Sequence, residues 1–242
     1  MRGGELRFWD EQARETRAAG PALELAAGSG RIAIALARKG NDVVGLELSP
    51  GMIERAEGRA ARLPEDARAR VRFVQGDMTR FALPGERFGL IFVAYNSFWL
   101  LATPAQQARC LECVRAHLAP EGRFVLDVFP PTEDDYTGET GITQYLSMAY
   151  RGQTVVRVKD YAWDAGRRLG VSDVRYYGER RGEGRRRLIT EFRYALRLAP
   201  PAAVKTLLTR TGFDVVETYG DYDKSPLESD SPRAIFVTQA AA

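Results

Sequence analysis

Fifteen residues near the start of the chain, LELAAGSGRIAIALA from Leu23 to Ala37, concentrate the chemistry that the sequence offers. An apolar strand ending at Ala26 runs into Gly28-Ser29-Gly30 and then into a helix opening near Arg31. Glycines at such a turn let a ligand lie against bare backbone, and the small Ala26 and Ala27 keep the approach open. Glu47 stands 17 residues beyond Gly30, at the end of the next apolar run, where a carboxylate can take a pair of ribose hydroxyls.

Gly28, Gly30 and Ala33 satisfy the dinucleotide fingerprint, so NAD and S-adenosylmethionine both fit this geometry. Other residues separate them. Glu24 lies inside the first strand, where a dinucleotide site wants an apolar strand end and the ammonium of a methionine tail wants an acid. Asp77 and Met78 follow the third apolar run, RVRFVQG, placing an acceptor for an adenine amino group beside a thioether that can lie on the ring. The fourth run ends in Ala94, Tyr95 and Asn96, small and polar, before an apolar cluster. Asn96, Phe98 and Trp99, with Tyr136 farther on, are the residues expected to shape an acceptor pocket.

These residues need elements to hold them. PALELA, NDVVGLEL, RVRFVQG, FGLIFVAYN and GRFVLDVF alternate with helix-patterned segments at Arg31–Arg38, Pro50–Ala61 and Ala105–Leu118, the pattern of βα units feeding a parallel sheet. The strand ends then converge on one crevice, where doubly wound sheets bind ligands. After Pro130-Pro131 the pattern changes to Tyr-, Val-, Arg- and Thr-rich runs separated by turns such as DAGRR and GEGRR, which predicts an antiparallel sheet. PPAAVKTLLTRTGFDVVETYGDYD and SPRAIFVTQ return to helix, strand, loop and strand. The second sheet is therefore an insertion. The expected boundaries are 1–131 and 198–242 for a ligand-binding α/β domain, and 132–197 for a β subdomain on the acceptor side or at a dimer contact.

The 242 residues are 45% hydrophobic and 28% charged, the composition of a chain that folds around a core. No apolar run reaches the roughly 20 residues of a membrane span, and MRGGELRFWDEQARE has charges where a leader needs an apolar centre, so the expected location is the cytoplasm. Net charge is only +3, but Arg151 to Arg197 carries 13 basic against 6 acidic residues, a local excess of 7. Cys110 and Cys113 share a helix face without a second pair, so no metal is expected.

The glycine motif ELAAGSG, Glu47, Asp77-Met78 and VAYNSF, in this order, resemble the class I S-adenosylmethionine-dependent methyltransferases from about Pro21 to Pro130 and again from Pro200 to Thr238. The inserted sheet is similar to that of small-molecule N-methyltransferases. The resemblance implies a Rossmann-like seven-stranded sheet whose last strand, SPRAIFVTQ, is antiparallel. It also implies that Ala26, Gly28 and Gly30 line the methionine moiety, Glu47 holds the ribose, Leu48 and Met52 flank the adenine, and Asp77 with Met78 closes its edge. Ala94 and Tyr95 complete the cofactor set. Two positions depart from the family: Gly89 stands where an aspartate often opens the fourth strand, and Ala26-Ala27 where Gly or Ala precedes Cys.

The expected reaction is in-line methyl transfer to N or O of a small-molecule acceptor, driven mainly by positioning. The sequence singles out no catalytic residue. His117, the only histidine, is expected to complement a helix C-terminus, Asp127 to cap a turn, and Trp9 to lie on a helix covering the cofactor. Alternatives are an RNA methyltransferase using Arg180-Arg181 and Arg185-Arg186-Arg187, an NAD-dependent oxidoreductase, and a cofactor-binding scaffold. Nucleic acid is the disfavoured partner, because YNSF lacks the paired prolines that hold an extruded base. The inserted sheet also offers an edge for a homodimer.

Overall fold

Apolar strands flanked by amphipathic helices organise the chain. A computed structural model describes residues 4–137, 142–150, 153–179 and 186–241. In order, the elements are α1 (Glu5–Glu15), β1 (Ala22–Leu25), α2 (Arg31–Arg38), β2 (Val43–Glu47), α3 (Pro50–Ala60), α4 (Glu65–Arg68), β3 (Val71–Gln75), β4 (Phe88–Val93), α5 (Pro104–His117) and β5 (Leu118–Val128). There follow α6 (Glu133–Thr137), β6 (Ile142–Tyr150), β7 (Gln153–Asp164), β8 (Leu169–Glu179), β9 (Arg186–Leu196), α7 (Pro201–Arg210), β10 (Phe213–Tyr219) and β11 (Ala234–Ala240).

Two units emerge. The first comprises Met1–Phe98, Thr103–Pro130 and Pro200–Ala242, and its seven strands run in the order β10-β11-β5-β4-β1-β2-β3. β11 is antiparallel to both neighbours, and the other pairings are parallel. β1 lies between β2 and β4, so the chain order reverses there and opens a crevice beyond the carboxyl ends of these strands. Every residue of β4 is buried, as a central strand covered on both faces requires. α1 packs through Phe8 and Trp9, and Trp9 stacks on Phe92 of β4 at 4.5 Å between ring centroids. Burying each such ring contributes on the order of 2–3 kcal/mol, and Trp9 therefore belongs to the core rather than to a cofactor lid. α5 begins with a reciprocal cap, Thr103 and Gln106 each satisfying the other's backbone N–H.

Gly89 explains one departure from the family pattern. A Cβ there would lie 2.2 Å from the Thr16 carbonyl oxygen and 2.8 Å from that of Gly20, so the segment after α1 has closed the space an aspartate would fill.

The second unit comprises Trp99–Ala102 and Pro131–Ala199. Trp99–Ala102 thus groups with the insert rather than with residues 1–131, and the Arg197 N–H donates to the Trp99 carbonyl at 2.7 Å. Its strands form the antiparallel sheet β6-β7-β8-β9. Asp160 pairs with Arg175, Asp173 pairs with Arg193 at 2.6 Å, and the Tyr161 hydroxyl donates to the Asp135 carbonyl at 2.6 Å. A bulge at Tyr176/Tyr177 interrupts the β8–β9 ladder.

Candidate active site

Glu47, the last residue of β2, organises the crevice. Its Oε2 accepts the Gly28 N–H at 2.8 Å and its Oε1 accepts the Ser49 N–H at 2.9 Å, which fixes the glycine turn against the adjacent strand end. Each carboxylate oxygen retains a lone pair for a further donor. Gly28 has φ 57°, and a Cβ built on it meets nothing within 4 Å: its bare side faces open space. Gly30, at φ 73°, differs, because its Cβ would sit 2.6 Å from the Phe73 ring. One glycine keeps a space open and the other lets two elements pack. Ala26 also adopts a left-handed backbone, φ 55°, which an L-side chain tolerates at a cost of about 1–2 kcal/mol.

Beside this turn, Leu48 is 63% and Met52 40% exposed, two large apolar side chains with a free face. Leu48 also borders a cleft of about 440 Å³ whose other walls include Leu46, Val74, Asp77 and the segment Phe81–Leu83. The Thr79 backbone N–H, helped by the Thr79 hydroxyl and Arg80, holds Asp77 below the usual carboxylate range. Met78, next in sequence, is half-buried.

After β4 the chain turns sharply. Tyr95 and Asn96 are both left-handed, φ 56° and 71°, where the sequence reading had continued the strand. Asp127, fully buried on β5, holds this turn: its Oδ2 accepts the Tyr95 N–H and the Tyr222 hydroxyl, each at 2.8 Å, and its Oδ1 accepts Arg233 Nε at 2.6 Å. The Asn96 N–H donates to the Asp127 carbonyl at 3.1 Å, and its side-chain oxygen accepts the Phe129 N–H at 2.6 Å. Asp127 therefore caps a turn and also anchors a buried arginine. Tyr95 remains 57% exposed, its ring flanked by the guanidinium carbons of Arg31 and Arg233 at 5.4 and 5.7 Å.

Residues 22–122 match the model of the methyltransferase domain. These residues form a methyltransferase domain. That result favours the sulfonium cofactor over the dinucleotide that the glycine pattern also allowed. The chain is similar to the CcbJ methyltransferase from Streptomyces caelestis, with 27% identity, coverage of 99% of this chain and 90% of that one, and a TM-score of 0.82. It is similar to the glycopeptide N-methyltransferase MtfA solved with S-adenosyl-L-homocysteine: 26% identity, 96% and 86% coverage, TM-score 0.63. A putative methyltransferase from Bacillus subtilis strain 168, YqeM, is 30% identical over 109 residues, or 45% of this chain and 42% of that protein's length. The match thus spans under half of that relative.

Several expected residues occupy other roles. Glu24 is 4% exposed and its Oε2 accepts the Ala33 N–H of α2 at 2.9 Å, so it caps a helix from below instead of standing open to an ammonium. Burial pushes its carboxyl up to about 8, against the opposing Ala33 N–H and Arg31. Ala94 and Phe98 are buried, as is Trp99 of the second unit; the two aromatic rings are packing residues rather than exposed pocket walls. Tyr136 meets Trp163 edge-on at 5.2 Å, with its hydroxyl buried. Cys110 and Cys113 are free thiols, both pushed up chiefly by burial. His117 Nε2 accepts the Leu83 N–H at 3.0 Å, so the ring clamps the segment before β4 instead of only complementing the helix dipole. Sequence reasoning missed Arg233 and Tyr222, because nothing in SPRAIF or GDYD indicates a buried partner 95 to 106 residues away.

Proposed function

We propose that this methyltransferase transfers a methyl group from S-adenosylmethionine to a nitrogen of a small-molecule acceptor. The carrying observation is Glu47 pinned to the Gly28 N–H beside a glycine whose missing side chain leaves open space. The residues fit the cofactor. Glu47 would accept the ribose hydroxyls, Gly28 with Ala26 would admit the methionine part while Gly30 lets the turn pack on Phe73, Leu48 and Met52 would cover the base with their free faces, and Asp77 with Met78 would meet its edge. Glu24 would act one step removed, by fixing the start of α2.

S-adenosylmethionine, when bound, supplies a methyl carbon activated by a cationic sulfur. The chain's own work is positioning, for which effective molarities allow roughly 7–11 kcal/mol, together with exclusion of water by the apolar faces of Leu48 and Met52. Nitrogen is the preferred acceptor atom because a neutral amine needs no strong base for the attack, and a relative at 26% identity is a glycopeptide N-methyltransferase. The nucleic-acid alternative is not favoured, because the similar protein MtfA is a glycopeptide N-methyltransferase; of the arginines it called on, Arg180, Arg181 and Arg185 lie outside the described residues, and Arg186 pairs with Glu179 at 3.6 Å.

Among the described residues no helix is long and apolar enough to cross a membrane. We place the protein in the cytoplasm, where free Cys110 and Cys113 suit reducing conditions. We assign residues 132–197 to acceptor choice or to pairing of two copies, for which Tyr145, Leu146 and Met148 are exposed along the edge strand β6. Calorimetry with S-adenosylhomocysteine, followed by methyl transfer from labelled cofactor to a panel of small amines, alcohols and RNA, tests the reading. Binding with transfer to amines supports it; absence of binding, or label on RNA alone, overturns it.

A further inference from the structure

One face of α5 fastens a wall of the Asp77 cleft. Phe81–Leu83 is an irregular segment between β3 and β4, and it lines the cleft together with Leu46 and Leu48. Cys113 and His117 are four residues apart on α5 and so share a face toward this segment. His117 is 8% exposed. Its Nε2 accepts the Leu83 N–H, and its Nδ1 lies 2.8 Å from the Cys113 carbonyl oxygen. An imidazole accepting at Nε2 carries its proton on Nδ1, so Nδ1 donates to that carbonyl and the tautomer is set from both sides. The Phe81 ring lies against the imidazole, with centroids 4.5 Å apart. Two contacts of His117 thus tie two residues of an irregular segment to a single helix face.

We infer that His117 is a positioning residue for the nucleoside end of the cofactor, holding the Phe81–Leu83 wall at the separation from Leu48 that an adenine requires. The inference rests on the S-adenosylmethionine reading given above. Apolar packing buries Phe81 and Leu83 in any case; what His117 adds is direction, because its hydrogen bond sets where the Leu83 backbone lies along the wall. A histidine that only stabilised the fold would lower the melting temperature when replaced and leave the affinity of the folded molecules unchanged. A positioning residue changes affinity, and does so for the nucleoside portion alone.

The test uses His117→Phe, which keeps a ring against Phe81 and removes the acceptor, and His117→Gln, which restores an acceptor. Dissociation constants are measured for S-adenosylhomocysteine and for 5′-methylthioadenosine, which has no amino-acid tail. The expected result is a weakening of about tenfold for both ligands in His117→Phe, and recovery to within about threefold of wild type in His117→Gln. Unchanged affinities in both variants, or a loss confined to S-adenosylhomocysteine, overturn the inference and leave the cofactor reading standing. Failure of the wild type to bind either ligand overturns both together. If His117→Phe does not fold, amide exchange at Leu83 in the wild type decides the matter: saturation with S-adenosylhomocysteine should slow it, and an unchanged rate refutes the role.

Discussion

Replacing Glu24 with Gln should make the protein more stable, and more so as the pH rises. The carboxyl is 4% exposed and accepts one backbone N–H, from Ala33, and burial raises it from an ordinary 4.5 to about 8. The folded state therefore holds this proton more tightly than the unfolded chain. Below about pH 4.5 both states are protonated and the group costs nothing. Between there and pH 8 the unfolded chain releases the proton and the folded state does not, so stability falls as pH rises. Those two values give a loss of about 2 kcal/mol at pH 6, about 3 at pH 7 and nearly 5 at pH 9. Gln has the same shape, keeps an oxygen for the Ala33 N–H and does not titrate. The variant's melting temperature should therefore exceed that of the wild type by a margin that widens by about 5–10 °C between pH 6 and pH 9. Differential scanning fluorimetry of the two proteins in matched buffers measures the margin, and other titrating groups cancel in the difference. A margin constant across that range, or one that shrinks with pH, would refute the reasoning.

The two glycines of the turn should separate binding from stability. Gly28→Ala places its Cβ in open space, so it should fold with a cost of about 1–2 kcal/mol from φ 57°, and weaken S-adenosylhomocysteine at least about tenfold by calorimetry. Gly30→Ala puts its Cβ 2.6 Å from Phe73 and should instead lower the unfolding free energy measured in urea by about 1–3 kcal/mol plus the strain at φ 73°. Asp127→Ala leaves Arg233, itself 5% exposed, buried without its carboxylate, and should cost about 3–5 kcal/mol in urea unfolding. Tyr222→Phe removes only one donor to Asp127 and should cost about 1 kcal/mol.

Local chemistry made much of the fold legible. The α2 bounds follow from Gly30 before the helix and Lys39-Gly40 after it, and the period-two and period-3.6 patterns separate the parallel sheet from the inserted antiparallel one. Glu47 was found because a strand end followed by an acid at fixed spacing is itself a sequence feature. The left-handed Tyr95 and Asn96 were not, because FGLIFVAYN reads as one β run until Asp127 captures the Tyr95 N–H.

What the amino-acid order determined by itself is whatever depends on neighbours within a few residues: the glycine turn, the strand and helix phases, and the placement of the acid at the end of β2. Tertiary structure alone decided which polar groups are spent inside. Glu24 went to the Ala33 N–H, His117 to Leu83, and Asp127 to Arg233 across 106 residues. The reason is the cost of burial. A carboxylate or an N–H removed from water must find a partner, and the partner is whichever group the sheet brings within reach, however far away it lies in the chain.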